Sequence, residues 1–351
     1  MNWFIDGWSI VASQTISVKD VAAHAGVSVG TVSNVLNRPE RVSEPTLTRV
    51  QTSIRALGFV RNEAARHLRA GRSTTIGFVV LDVSNPFFTD VERGAERAAA
   101  AAGSSVLIAN SGEQGERELA YLELFEEQRA QGVLISPATD VTEHLRRLRR
   151  HGIPTVFVDS PAPDAEFSSI QTNDIAGGEL AVRHLISTGR RRIAFVGGPL
   201  SLHQIRDRLA GARMAVGEAV DEIEPIRVVE TKSPTVDEGR RAGLELAALP
   251  ESDRPDAVFA ANDLLAIGVM QAVLLERRLR IPEDVALIGY DDIDWSASTV
   301  VPLSTVRQPS ELIGETAARL LIEEATATGE VTHQQLQFTP VLVARESTAS
   351  K

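Results

Sequence analysis

The 351-residue chain contains no cysteine, which excludes a disulfide framework, a thiolate nucleophile and a Cys-ligated zinc site, and fits a reducing cytosol. No stretch approaches the ~20 uninterrupted apolar residues that a membrane-spanning helix needs. The opening MNWFIDGWSIVASQ carries acidic Asp6, lacks a basic start and has only a broken apolar run, so it is a poor secretory signal. Catalytic signatures are also missing. The seven histidines are scattered, and neither HExxH nor a GxGxxG after a strand pattern occurs. What remains is the composition of a soluble globular protein long enough for two or three domains. Residues 1–15 read as a disordered extension, with a small docking patch of Trp3, Phe4, Trp8 and Ile10 as the alternative.

What the chain does have begins at Val18. The stretch VKDVAAHAGVSVGTVSNVLN places Val21, Ala22 and Ala25 on one helical face and Val32 and Val35 on a second, with Gly26 in the turn between them. This is the spacing of a helix-turn-helix, in which the second helix enters a DNA groove. Ser28 is placed to cap that helix through the amide of Thr31 or Gly30. Val29, Gly30, Ser33 and Asn34 then face away from the core as candidate base readers, since an Asn amide can pair with adenine and a Val can touch a thymine methyl. Ser28, Thr31 and Asn37 suit phosphate oxygens. The same residues, Gly26 to Gly30, match the GxSxG of a hydrolase nucleophile elbow. That elbow must follow a strand, whereas an Ala-rich helical pattern precedes this one.

A net charge of −11 appears unsuited to a DNA binder until it is divided along the chain. Thr15 to Arg72 holds nine basic and four acidic residues, so this segment is positive and the remainder strongly negative. After Asn37, Ser43 starts a further helix with Pro45 in its first turn, apolar Leu47, Val50, Ile54 and Leu57, and Gly58 as its stop. The expected organisation is an all-α headpiece over residues 16–60, a basic hinge helix or linker over 61–73, and a core over 74–351.

Within the core, strand and helix patterns alternate from TIGFVVLDV to VALIGYDD, which predicts an α/β fold of two doubly wound parallel sheets. Ligands in such folds bind beyond the carboxyl ends of the strands. A cleft between the halves would therefore gather Asp82, Asp159, Asn262, Asp263, Asp291 and Asp292, with Phe87 and Phe88 as an aromatic platform. Such groups suit a hydroxyl-rich ligand, although some of the Asp residues could instead cap helices. A solute-binding protein or an enzyme could share this core. Neither explains the basic helix-turn-helix.

These residues, together with RVSEPTLTRV, RLAG, ANDLLAIGVMQA, IPEDVALIGYDDI and PLSTVRQP, give the chain a resemblance to the lactose repressor/galactose repressor (LacI/GalR) family over Ile16 to about Ala349. The resemblance implies a sequence-specific transcriptional repressor that is cytoplasmic and homodimeric, binds a palindromic operator, and is controlled by a small-molecule effector, with no cofactor or metal. It implies that Asn62 starts a hinge helix in which Leu68 wedges into the minor groove, flanked by Ala65 and Arg69. It further implies effector contacts from Phe87, Phe88, Asp159, Arg208, Asn262, Asp291 and, as a weaker candidate, Gln308, beside Asp82 from the strand-end reading; these suit a carbohydrate, or a planar anion held by Arg208. The implied subdomains are 74–172 with 307–330, and 173–306 with 331–346. The sequence departs from the family's commonest pattern at Val29, Gly30 and Asn34, so its operator cannot be copied from a relative. Without C-terminal apolar heptads a dimer is expected rather than a coiled-coil tetramer.

Overall fold

The computed structural model describes residues 16–59, 73–219 and 222–349. The chain divides into two compact units, Met1–Arg72 and Ser73–Lys351.

In the first unit, α1 (Val18–Ala25), α2 (Val29–Asn37) and α3 (Glu44–Leu57) close around Val21, Ala22, Ala25, Val32, Val35 and Val50. None of these helices is long enough to be stable alone, so packing holds them. Ser17 and Asp20 form a reciprocal capping box at the start of α1. Gly26 ends α1 at φ 62°, a conformation that costs an L side chain energy but glycine little. A buried Ser53 hydroxyl bonds His24 Nδ1 at 3.0 Å and ties α3 to α1.

The second unit has two lobes. Strands β1 (Thr75–Val80), β2 (Ser105–Asn110), β3 (Gly132–Ile135), β4 (Thr155–Val158) and β5 (Ser168–Thr172) join β11 (Gln335–Phe338) in a parallel sheet of order β11-β5-β4-β3-β1-β2. Strands β6 (Ile193–Val196), β7 (Arg227–Val229), β8 (Ala257–Ala260) and β9 (Ala286–Ile288) form a second parallel sheet of order β7-β6-β8-β9. Strands β10 (Thr305–Arg307) and β12 (Val341–Val343) pair antiparallel. The central strands are apolar and buried along their length, as expected of parallel strands covered on both faces.

Two features depart from the sequence reading. Residues 331–346 were expected wholly in the second lobe, yet β11 pairs with β5 in the first lobe's sheet, Gln335 opposite Ser169. β5 itself, SSIQT, was not anticipated because it holds a single apolar residue and so has no hydrophobic run. In the second lobe α10 (Asp263–Gln271) widens at its end into a π turn over Ala272–Glu276. Helix α11 (Ser310–Thr326) packs on α4 (Pro86–Ala101) in the first lobe.

Three helix pairs cross at facing glycines. A Cβ on Gly94 of α4 would meet the Glu311 carbonyl oxygen at 2.0 Å, and one on Gly314 would meet that of Val91 at 1.7 Å. The same reciprocity holds for Gly178 with Gly211, on α7 (Asp174–Ser187) and α8 (His203–Gly217), and for Gly239 with Gly268, on α9 (Val236–Ala247) and α10. Backbone touches backbone at each crossing, so no rotamer change can make room. Gly314→Ala is expected to lower stability by about 3 kcal/mol or more. Gly217→Ala, where the added carbon meets nothing within 4 Å, is expected to raise it by about 0.5–1 kcal/mol. Urea midpoints of the two variants check the contrast, and equal shifts would refute it.

Candidate functional site

The first unit presents one polar helix face. Ser28 is the N-cap of α2, accepting from the Thr31 amide at 3.0 Å, with its hydroxyl also against Thr31 Oγ1 at 2.9 Å. Asn37 donates back to the Ser33 carbonyl at 2.8 Å. Ser28, Thr31 and Asn37 therefore shape the helix, whereas Val29, Gly30 and Asn34 are exposed and Ser33 is half-buried. Val29, apolar and 46% exposed, opens the first turn of α2, and Asn34 is exposed further along the same helix. Asn62, Ala65, Leu68 and Arg69 lie outside the described residues.

In the second unit a cleft of about 450 Å³, partly open to solvent, is lined by Asp82, Asn85, Phe87, Phe88, Glu113, Asp159, Gln204, Arg208, Asn262 and Asp291, with Leu81, Leu202, Ile205, Pro234 and Ala261. The mixed apolar and polar lining is that of a small-molecule site. Asn85 caps α4 by accepting from the Phe87 amide, and Pro86 fixes the first turn. This aims Phe87 and Phe88 into the cleft, edge to face at 5.1 Å.

Arg208 organises the second lobe's side. Its Nε donates to Asp174 at 2.7 Å and one Nη donates to the Ala261 carbonyl at 2.7 Å, while Asp291 lies 3.7 Å away. Its guanidinium also stacks 3.7 Å from the Tyr290 ring centre. Burial opposes its charge, but Asp174 and Asp291 outweigh that and raise its pKa. Asp159, at φ 52° just past β4 (Thr155–Val158), is 3% exposed with one carboxylate oxygen unpartnered. Burial first, then the Asp174 charge, push its carboxyl well above the usual range.

The expected residues are not all equal. Asp82 lines the cleft, but Ser84 holds both its oxygens, through the amide at 2.9 Å and the hydroxyl at 2.6 Å. Asn262 caps α10 and donates to the Pro234 carbonyl, so both ends of its amide are engaged. Gln308 donates to Asp291 at 2.8 Å and positions that carboxylate from behind. Asp263 and Asp292 do not face the cleft, contrary to the reading from strand ends. Asp263 turns inward to accept from the Ile293 amide and the Ser296 and Thr305 hydroxyls. Asp292 pairs with Arg307 and Arg345. Sequence reasoning missed Gln204, Glu113 and Asn85, which sit on loops and helix starts, and Asp174, whose role appears only through Arg208.

Two family models match the chain: bacterial regulatory proteins of the lacI family over residues 17–62, and a periplasmic binding protein-like domain over 182–348. The ribose operon repressor of Escherichia coli (strain K12) is 36% identical over 94% of this chain and 99% of its own length. The transcriptional repressor PurR of Vibrio atlanticus is 34% identical over 88% and 91%. Among solved structures, the lac repressor dimer bound to operator and the anti-inducer ONPF superposes with a TM-score of 0.79 at 27% identity, covering 96% of this chain and all of that one. A regulator from Enterococcus faecium with bound ribose gives 0.71 at 28% identity, covering 78% and 98%.

Burial raises the Asp263 carboxyl to about 7. A folded-state pKa above the unfolded value contributes stability that is complete below the ordinary carboxylate range and is lost as pH rises to about 7. Asp291, raised to about 6 chiefly by burial, acts in the same direction. His203, lowered to about 4 by burial, acts in the opposite one, losing stability as pH falls. Asp263→Asn removes only the first contribution. Between about pH 5 and 7.5 its melting temperature should fall less than the wild type's in scanning calorimetry, and parallel curves would refute the assignment.

Proposed function

The chain belongs to the lacI family of bacterial regulatory proteins, and we propose that it is a cytoplasmic homodimeric repressor whose operator affinity responds to a ribose-like sugar held in the cleft of its second unit. The observation that carries this reading is the Arg208 cluster. One fixed guanidinium, Asp159 with a free oxygen, Asp291 and the Phe87–Phe88 pair offer donors, acceptors and an apolar face within one cleft, which is what a small polyol requires. The 36% identical ribose operon repressor and the ribose-bound relative support a pentose in particular. The relatives compared are repressors, and no chemical step is assigned to this cleft.

Effector and operator are coupled when each prefers a different arrangement of the protein, so binding of one changes the affinity for the other by the same factor. In fluorescence anisotropy with DNA from upstream of the genes beside its own, added D-ribose should shift operator affinity by about 5- to 150-fold. An unchanged affinity at saturating ribose would sink the ribose assignment. Arg208→Met should abolish that response.

We assign base reading to Val29 and Asn34 of α2. Asn34→Ala should weaken specific operator binding by about 1–3 kcal/mol, roughly 10- to 100-fold, and leave binding to random duplex unchanged. Equal losses on both DNAs would instead make Asn34 a phosphate contact. In the hinge segment, Leu68→Ala should weaken specific binding, and undiminished affinity would refute minor-groove wedging.

A further inference from the structure

We propose that Glu113 and Asp82 make the cleft a charge filter that admits neutral sugars and rejects their phosphate esters. This inference rests on the effector reading above and deepens it.

Glu113 lies on the loop between β2 (Ser105–Asn110) and α5 (Gly115–Glu127), at φ 60°, a conformation unusual for a side-chain-bearing residue. It is half-buried and lines the cleft with Asp82. Burial, and then the Asp82 charge, raise its carboxyl pKa. Asp82 cannot turn away, because Ser84 holds both its oxygens.

The cleft holds nothing to offset these groups. Asp82, Glu113, Asp159 and Asp291 line it, with burial favouring the protonated form of Asp159, and Arg208 is the one cation among the described lining residues. Arg208 is committed to Asp174, Asp291 and the Ala261 carbonyl. His203 beside it stays neutral near physiological pH, its pKa lowered to about 4 by burial. Arg117 touches Gly112 from outside the cleft and is exposed.

The cleft does expect a ligand. Asp159 Oδ1 and Gln204 Oε1 are buried there without a partner, on residues 3% and 7% exposed. A sugar hydroxyl can donate or accept and so satisfies either atom, whereas an ionised phosphate oxygen offers Gln204 Oε1 no donor. A phosphoryl group would therefore add about two negative charges among carboxylates in a partly desolvated space. The unphosphorylated sugar would add none.

The test is calorimetric titration of the full-length protein with paired probes: D-ribose against D-ribose 5-phosphate, and D-glucose against D-glucose 6-phosphate. Wild type should bind the neutral member of its preferred pair at least about 100-fold more tightly. In Glu113→Gln and Glu113→Lys that ratio should shrink progressively, by roughly tenfold for each unit of charge removed. Circular dichroism melts establish that each variant is folded, and Asp82→Asn supplies a second variant should Glu113→Lys fail to fold. A ratio that stays the same in all variants, or a phosphate ester bound as tightly as its sugar by wild type, would overturn the filter and leave the effector reading intact. A ratio seen only in the glucose pair and narrowed in the variants would uphold the filter and overturn the ribose assignment. If no sugar binds, both fall.

Discussion

The second lobe depends on a charge that has no business being in a protein interior. Arg208 is buried, and an unpaired guanidinium there would cost several kcal/mol. It is tolerated because each neighbouring element supplies a partner: Asp174 from the start of α7, the Ala261 carbonyl from the end of β8, Asp291 from beyond β9, and the Tyr290 face beneath. The dependence runs both ways, since Asp174, Asp159 and Asp291 sit in the same dry space and rely on Arg208 for compensation. The cluster is therefore a set of strand and helix ends held in mutual register by electrostatics. It also lines the cleft, so under the proposed function a structural constraint would serve as a recognition element.

Both lobes are stiffened in the same way. Apolar parallel strands set each interior, and the facing glycines on α4 with α11, α7 with α8, and α9 with α10 bring helix backbones into contact. Such crossings leave little freedom for helices to slide. The chain passes between the lobes at three places, after β5, between β9 and α11, and between β11 and β12. A ligand that touches Phe87 from one lobe and Arg208 from the other thus acts on two stiff bodies joined by short connections.

The sequence was most legible where pattern and chemistry coincide. Gly26, Ser28 and the alternating faces of α1 and α2 could be placed because caps, turn glycine and apolar spacing all point the same way. Phe87, Phe88, Asp159, Asn262 and Asp291 could be brought to one cleft, since strand ends in a doubly wound fold meet there, whereas Arg208, within α8, came only from the family resemblance. Asp263 and Asp292 were misplaced because strand-end position says nothing about which way a side chain turns, and buried hydroxyls and arginines claimed both. β5 and β11 were invisible for another reason. SSIQT and QLQF lack an apolar run, and their pairing joins residues more than 160 positions apart, a relation no local pattern carries.

That pairing also bears on how the protein is made. The first lobe's edge strand, β11, is synthesised more than 160 residues after the β5 strand it pairs with, and Ser347 and Thr348, both fully buried, bond Leu287, Ser304 and His184 of the second lobe. The first lobe cannot be completed until the ribosome has released Phe338, nor the second until it has released Thr348. The helix-turn-helix unit needs only its own sixty or so residues, and domains generally fold in the order in which they emerge. For an interval in every round of translation the nascent chain thus carries a finished DNA-binding module and an unfinished ligand sensor.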